Sequence, residues 1–302
     1  MIEFRGLSKS YTKRGRPALL PFELEVRKGE ILGLVGLNGA GKTTLIRSAA
    51  GLILPTAGTV LLDGHDIVTD KIRASATVGW VSEFPNFEPG ARAADLLEYL
   101  AGYNGLRGPE ALPWVLGILR QVGLEGDEWQ RVGTFSQGMK KRFALATALV
   151  ARPTNLLFDE LLNGLDPEGI RYVRSMMLTL RKEGASVLLS SHLLGEVENL
   201  ADRIAIVHEG RLLEVLPREA LLSSRGRSLR IVLHGPGDGA LDYLSTVGKV
   251  TAEGTTYRIA DPRTEAWQVT EELVRRGFHV AEVRTEHEDL ESYFFRRIRG
   301  AG

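Results

Sequence analysis

The sequence has no cysteine, which excludes disulfides, thiolate-held zinc and thiolate-held iron-sulfur clusters and leaves the redox compartment open. It has no excess of either charge: 38 Lys and Arg stand against 38 Asp and Glu, so no overall basic field is available to hold a polyanion. No apolar run approaches the roughly 20 residues of a spanning helix, and one of the more apolar windows, 143–151, is less than half that length. The first residues carry Lys9, Lys13, Arg14 and Arg16 without the apolar stretch of a secretory signal, so a cytoplasmic chain is expected. Repeats at solenoid spacing and low-complexity tracts are missing as well.

What is present is the composition of an ordinary globular protein, 43% hydrophobic and 25% charged, over 302 residues, a length that predicts two domains. The apolar run 31–35 ends at a glycine and reads as a buried strand. Gly36 to Thr43 then turns into a predicted helix over 44–50 that Gly51 would end. Two further buried-strand runs, 155–158 and 185–190, lead into Asp159-Glu160 and Ser191-His192. In a sheet of parallel strands alternating with helices, ligands sit at the carboxyl ends of strands, so these three ends are expected to share one crevice. Between them, 93–103 and 110–122 have helical spacing, broken at Gly108-Pro109 and at Pro113, which suggests a helical insertion. A hairpin-like turn follows at 207–211. The polar stretch Ser223-Ser224-Arg225-Gly226 suits a linker. Beyond it the pattern predicts strand 229–233, helix 240–247, hairpin 249–259, helix 264–276, strand 279–284 and helix 289–298, a small α+β sandwich with helices on one face.

The segment Gly36, Leu37, Asn38, Gly39, Ala40, Gly41, Lys42 and Thr43 fits G-x-x-x-x-G-K-[ST]. Successive backbone N–H groups unobstructed by side chains can surround phosphate oxygens, and the start of the following helix, from Thr44, adds positive partial charge. Lys42 would reach the β- and γ-phosphates and the Thr43 hydroxyl would coordinate Mg²⁺. Asp159 can hold Mg²⁺ through water, and Glu160 can position or deprotonate an attacking water. His192 can hydrogen-bond the γ-phosphate or that water. Tyr11 offers a ring face to adenine. Each has a plainer alternative: a glycine turn, a surface acidic pair, a structural histidine, a core aromatic.

Taken together, these segments resemble the nucleotide-binding subunit of an ATP-binding cassette (ABC) transporter over about residues 1–220. Besides Gly36 to Thr43 and Leu156 to Glu160, the family's signature is matched by Phe135-Ser136-Gln137-Gly138-Met139, its D-loop by Gly164-Leu165-Asp166 and its switch histidine by His192. The resemblance implies an α/β P-loop NTPase cassette, a mixed sheet with a helical subdomain at about 84–150, spanning 1–222. A small α+β accessory domain over 227–302 follows. ATP and Mg²⁺ are the implied ligands. Ser136, Gln137 and Gly138 open a predicted helix over 139–150, a second phosphate-binding N-terminus. By resemblance that helix and Asp166 face the ATP of a second subunit, so two cassettes close head to tail on two nucleotides.

Three departures from the family stand out. Glu83 occupies the Q-loop position where glutamine is usual; as a carboxylate it can ligate Mg²⁺ and belongs with the candidate catalytic and metal residues. The signature reads Phe-Ser-Gln-Gly-Met rather than Leu-Ser-Gly-Gly-Gln. Leu161-Leu162 replace Pro-Thr or Pro-Ser after the glutamate, and nothing in the sequence says why. If the subunit powers transport, separate transmembrane permease chains must dock on it; Phe84, Phe87, Leu96, Leu97 and Tyr99 are the candidate apolar patch. The tail, with its closing Glu288-Asp289-Leu290-Glu291-Ser292-Tyr293-Phe294, is similar to extensions on exporter ATPases. The expected protein is thus an exporter ATPase on the cytoplasmic face of a membrane, working as two copies of this chain in preference to a mixed pair, with no nucleic-acid partner. The competing classes are a soluble cassette ATPase on nucleic acid or the ribosome and a regulatory cassette that barely turns over. A single phosphate loop, with Lys42 and Ser136 only about ninety residues apart and no heptads between them, opposes the first; Glu83 keeps the second open.

Overall fold

The computed structural model describes residues 1–12, 15–223, 227–235, 239–287 and 290–299. It divides into two compact units, Met1–Arg218 and Glu219–Gly302. Three residues of the expected linker, Ser224, Arg225 and Gly226, lie outside the described residues, as do Lys13, Arg14 and the Glu288-Asp289 pair, including the expected helix start at Asp289.

In chain order the first unit runs β1 (Ile2–Lys9), β2 (Leu19–Val26), β3 (Ile31–Val35), α1 (Lys42–Ala49), β4 (Ala57–Leu62), β5 (His65–Asp66), α2 (Lys71–Ala76) and β6 (Val78–Val81). A helical insertion follows, α3 (Ala93–Tyr103), a 3-10 turn at Gly108–Glu110, α4 (Ala111–Gln121) and α5 (Gln137–Leu149). The chain returns through β7 (Asn155–Asp159), α6 (Pro167–Lys182), β8 (Ser186–Ser190), α7 (Leu194–Leu200), β9 (Arg203–His208) and β10 (Arg211–Pro217), and α8 (Arg218–Ser223) starts at the last residue of the unit.

The larger sheet has the order β10-β9-β3-β8-β7-β6, parallel except for β10. Every residue of β3, β7 and β8 is buried, as expected where helices cover both faces of parallel strands. A second, antiparallel sheet has the order β2-β1-β4-β5. Between them lies α1: its Leu45, Ile46 and Ala49 share one apolar cluster with Phe4, Phe22 and Val60 of the small sheet and Leu34, Leu157 and Leu188 of the large one. Each such side chain contributes about 1.5–3 kcal/mol by leaving water, so α1 and the loop before it are fixed from two sides. The register pairs Leu34 with Ser190 and Ser190 with Asp159. The ends of β3, β7 and β8 therefore reach the same edge, and β6, paired through Val81 to Phe158, brings the segment after it to that edge too.

Three of the differences from the sequence expectation have a plain physical cause. The first helix begins at Lys42 rather than Thr44, because Gly41 takes a left-handed conformation that lets the helix start at once. The signature helix begins at Gln137 rather than Met139, with Ser136 as its cap. Pro113 does not break α4, because it sits in the first turn, where its missing N–H has no intrahelical acceptor to lose.

The second unit contains β11 (Arg227–His234), α9 (Ala240–Val247), β12 (Lys249–Glu253), β13 (Thr256–Ala260), α10 (Ala266–Arg275), β14 (His279–His287) and α11 (Leu290–Arg299). Its antiparallel sheet has the order β12-β13-β11-β14, the arrangement of a β-α-β-β-α-β unit. Leu244 and Val247 of α9 and Val269 and Leu273 of α10 join Leu229, Ile231 and Ile259 in one core, so both helices cover the same face.

Candidate active site

The loop from β3 to α1 depends on two glycines. Gly41 has φ 107°, and a Cβ there would stand 2.8 Å from both Ala18 O and Leu19 Cδ2; at Gly36 it would stand 2.5 Å from Val207 O. The first amide of α1 to find an acceptor down the helix is that of Leu45, donating to Gly41 O at 2.9 Å. The amides of Lys42, Thr43 and Thr44 ahead of it point out of the helix start, where positive partial charge accumulates. Lys42 is buried, and its Nζ donates to Gly36 O at 2.7 Å and lies 3.8 Å from Glu160 Oε1. Among the described residues its own loop and one carboxylate hold that ammonium, at the place where phosphate oxygens would lie.

At the end of β7 both acids are buried, Asp159 at 1% exposure and Glu160 at 6%. Asp159 Oδ1 accepts from Ser190 Oγ at 2.8 Å and from Thr43 Oγ1 at 3.3 Å. Burial pushes the Asp159 carboxyl above its ordinary range, opposed by those two hydroxyls, with the charge of Glu160 adding to the rise. A cation beside Asp159 would relieve that cost. Thr43 Oγ1 and Asp159 Oδ1, one hydroxyl and one carboxylate side by side, are the hard-oxygen donors that Mg²⁺ takes. That fits a Mg²⁺ site, which uses one or two carboxylates and completes its shell with substrate phosphates and water.

Glu160 has φ 52°, a left-handed conformation that costs a non-glycine residue about 1–3 kcal/mol. Its own N–H reaches Ser190 O and Ser190 Oγ, at 3.2 and 3.1 Å. Its Oε2 accepts from the His192 N–H at 3.1 Å and from Asn163 Nδ2 at 2.9 Å, with His192 Nδ1 at 3.0 Å. The histidine ring is otherwise exposed, with its far edge open to solvent. Asn163 Oδ1 is buried and has no partner among the described residues, which leaves a spare acceptor next to the carboxylate.

A cleft of about 400 Å³ is lined by Ala18, Leu37 to Thr44, Glu83, Glu160 and His192. The structure thus brings the loop, the glutamate, the histidine and Glu83 together, with Asp159 directly behind Thr43. Tyr11 is exposed, its hydroxyl 3.4 Å from Thr44 Oγ1 and Lys9 Nζ 5.2 Å from its ring centroid, beside the loop rather than in the cleft lining. Ser136, Gln137, Gly138 and Asp166 do not line this cleft. Ser136 Oγ accepts from Met139 N at 3.2 Å and Asp166 Oδ1 from Gly169 N at 2.9 Å, each capping the start of its own helix.

Of the apolar patch candidates, Phe84 and Tyr99 are exposed, but Leu97 is fully buried and Phe87 packs edge-on against Phe143, 4.9 Å between centroids. The packing of α3 in the insertion removes Leu97 from the surface, while Phe87 is half-buried. Leu161 and Leu162 are fully buried as well.

Sequence reasoning missed Asn163, Ser190 as a ligand to Asp159, and Lys141. Lys141 is buried, and its Nζ donates to Glu160 O at 2.8 Å. Its signal was available: a lysine three, four and seven residues before Ala144, Leu145 and Ala148 lies on the apolar stripe of its helix.

The family described as ABC transporter matches residues 19–163. The bacitracin transport ATP-binding protein BcrA of Bacillus licheniformis is 33% identical over 304 residues, 99% of this chain and 98% of the relative. The Nod factor export ATP-binding protein I of Burkholderia orbicola (strain AU 1054) is 35% identical over 251 residues, 83% of this chain and 82% of that one. A solved ATP-binding subunit of an ABC transporter superposes with TM-score 0.67 at 24% identity, covering 91% of this chain and 99% of its own, a likeness of fold.

Proposed function

The chain belongs to the ABC transporter family as an ATP-binding subunit, and from that premise we propose that it hydrolyses ATP to drive export through separate membrane-spanning permease chains. The observation that carries the reading is the meeting of Lys42, Glu160 and His192 at one cleft mouth, with Lys42 Nζ 3.8 Å from Glu160 Oε1. Three features of different sequence regions, an ammonium for phosphate, a carboxylate for water and a ring to fix that carboxylate, have no reason to converge in a purely structural turn.

In the proposed reaction the loop amides and Lys42 hold the β- and γ-phosphates. Glu160 accepts a proton from the attacking water as its oxygen bonds to the γ-phosphorus, the bond to the β-γ bridging oxygen breaks, and ADP and phosphate leave. His192 and Asn163 keep the carboxylate aimed. Thr43 and Asp159, with Glu83 at the cleft, would hold Mg²⁺, which when bound offsets the phosphate charge.

Ser136, Gln137 and Gly138 stand outside the cleft of their own chain, which supports their use at the nucleotide of a second subunit. Two copies of this chain closing head to tail on two ATP molecules, and parting after hydrolysis, would turn binding energy into motion. No helix among the described residues is long and apolar enough to cross a membrane. In the proposed reading the pathway belongs to the permease partners and the subunit works on the cytoplasmic face. The match to a bacitracin transport subunit runs through the second unit as well as the cassette, and an export subunit matches most of the chain, which supports export.

The test is to tag the chain, isolate it from native membranes in mild detergent and identify by mass spectrometry what stays bound and in what ratio. Stoichiometric polytopic membrane chains are expected. Recovery from the soluble fraction with ribosomes, nucleic acid or no partner would overturn the reading.

A further inference from the structure

Behind the glutamate lies a cation that the proposed reaction does not use. Lys141, on the second turn of α5, is 7% exposed, and its Nζ lies 2.8 Å from Glu160 O and 3.5 Å from Leu161 O. A buried ammonium is costly unless it is hydrogen-bonded and its charge is met. The carbonyls are its acceptors; burial pulls the ammonium below its ordinary range, and the negative charges of Glu83 and Glu160 oppose that pull in part. The residue whose carbonyl it takes is the one held at φ 52°. On the other side of that residue the N–H is already tied to Ser190 of β8.

We propose that Lys141 is a positioning residue for Glu160: its ammonium ties the Glu160 carbonyl to α5, keeps the left-handed turn that aims the carboxylate at the cleft, and offsets the charge that Glu83 adds there. The assignment rests on the hydrolytic role given to Glu160 above. Lys141 touches the backbone of the base and does not itself line the cleft, so it acts on the geometry of the base rather than on nucleotide binding. It also explains how a carboxylate at position 83 is tolerated beside Asp159 and Glu160: the site carries a second cation besides Lys42.

The experiment measures ATP turnover at saturating ATP, KM, and ATP affinity by titration in the full chain and in Lys141→Gln, Lys141→Arg, Glu83→Gln and the double variant Glu83→Gln/Lys141→Gln. Lys141→Gln is expected to lower kcat about 10- to 100-fold, the scale of a small misplacement at a reacting centre, while KM and affinity change by less than about threefold. Lys141→Arg, which keeps the charge and the donors, should recover most of the loss. The double variant should exceed Lys141→Gln alone, because cation and added anion leave together. Unchanged turnover in Lys141→Gln, or affinity lost in proportion to turnover, would overturn the assignment. Should Lys141→Gln fail to fold, the Arg and double variants decide: a double variant that folds and turns over at less than about one-third of the Glu83→Gln rate supports a need for the tether, and turnover at or above that level overturns it. A parent chain that binds ATP without hydrolysing it would fail the hydrolytic reading itself, a result distinct from either.

Discussion

Replacing Glu160 by Gln removes one charge and almost no volume. The glutamine oxygen can still accept from the His192 N–H and Asn163 Nδ2, now at 3.1 and 2.9 Å, so the side chain should keep its place. What goes is the ability to take a proton, worth about 10²- to 10⁴-fold in general base catalysis. At 1.36 kcal/mol per tenfold that raises the barrier by about 2.7–5.4 kcal/mol. ATP affinity should not fall: the carboxylate stands 3.8 Å from Lys42 and carries the same sign as the phosphates, so neutralising it frees the ammonium for them. The expected result is phosphate release at saturating ATP reduced at least 100-fold, unchanged or tighter nucleotide binding, and an ATP-bound dimer that accumulates in size-exclusion chromatography. Turnover within about twofold of the parent would remove Glu160 from the base role, and loss of binding alongside turnover would reassign it to holding nucleotide.

Ser136→Ala should cost about 1 kcal/mol of stability by removing the cap on Met139 N, and should impair ATP-driven assembly while a monomer still binds ATP; a selective loss of monomer affinity in titration contradicts the head-to-tail arrangement. Asp159→Asn should raise the melting temperature of the nucleotide-free, Mg²⁺-free protein while abolishing turnover, because burial holds that carboxyl above its ordinary range and the ionised form is a cost of the empty site; a lower melting temperature would refute it. Asp66 accepts from Val68 N at 2.7 Å, Thr69 N at 2.9 Å and Thr59 Oγ1 at 2.7 Å, and these donors outweigh burial to leave its carboxyl below the usual range. The stability it adds is present above the unfolded carboxylate value and lost as pH falls through the lower folded one, so Asp66→Asn should cost about 1 kcal/mol at neutral pH and flatten that limb of denaturant midpoints against pH; a limb as steep as the parent's counts against it.

The parts legible in the sequence are those set by local pattern. The phosphate loop announces itself by glycine spacing, and α3 and α9 begin and end where their apolar periodicity does. The alternation in the tail gives the six elements of its β-α-β-β-α-β order because each is short and punctuated by glycine or proline. What spacing does not show is which face of an element is used. Leu97 reads as a surface candidate beside Tyr99 until α4 and α5 close over one side of α3 and leave the other exposed. Asn163 and Lys141 are ordinary residues locally. Their roles exist only because β7 ends where α5, β8 and the turn after Glu160 come together, contacts 19 and 30 residues apart in the chain.

The turn after Glu160 is where the sequence departs from the family pattern without apparent reason, and the packing supplies one. A proline after the glutamate would fix φ at its own position and push the residue before it toward extended backbone, away from the left-handed turn found here. Here Leu161 takes that place, which leaves the left-handed conformation open to Glu160 at a strain that its surroundings hold. Leu161 and Leu162 are both fully buried, and each contributes about 1.5–3 kcal/mol on leaving water, enough together to offset the roughly 1–3 kcal/mol of strain at Glu160. Burial alone fixes the depth of the turn but not the direction of its peptide groups. That direction is set by Ser190 on the N–H of Glu160 and Lys141 on its carbonyl. A lysine on the apolar face of α5 and a leucine where proline is usual thus act on the same turn: with Leu161 the left-handed conformation is open to Glu160, and Ser190 and Lys141 hold its two peptide groups.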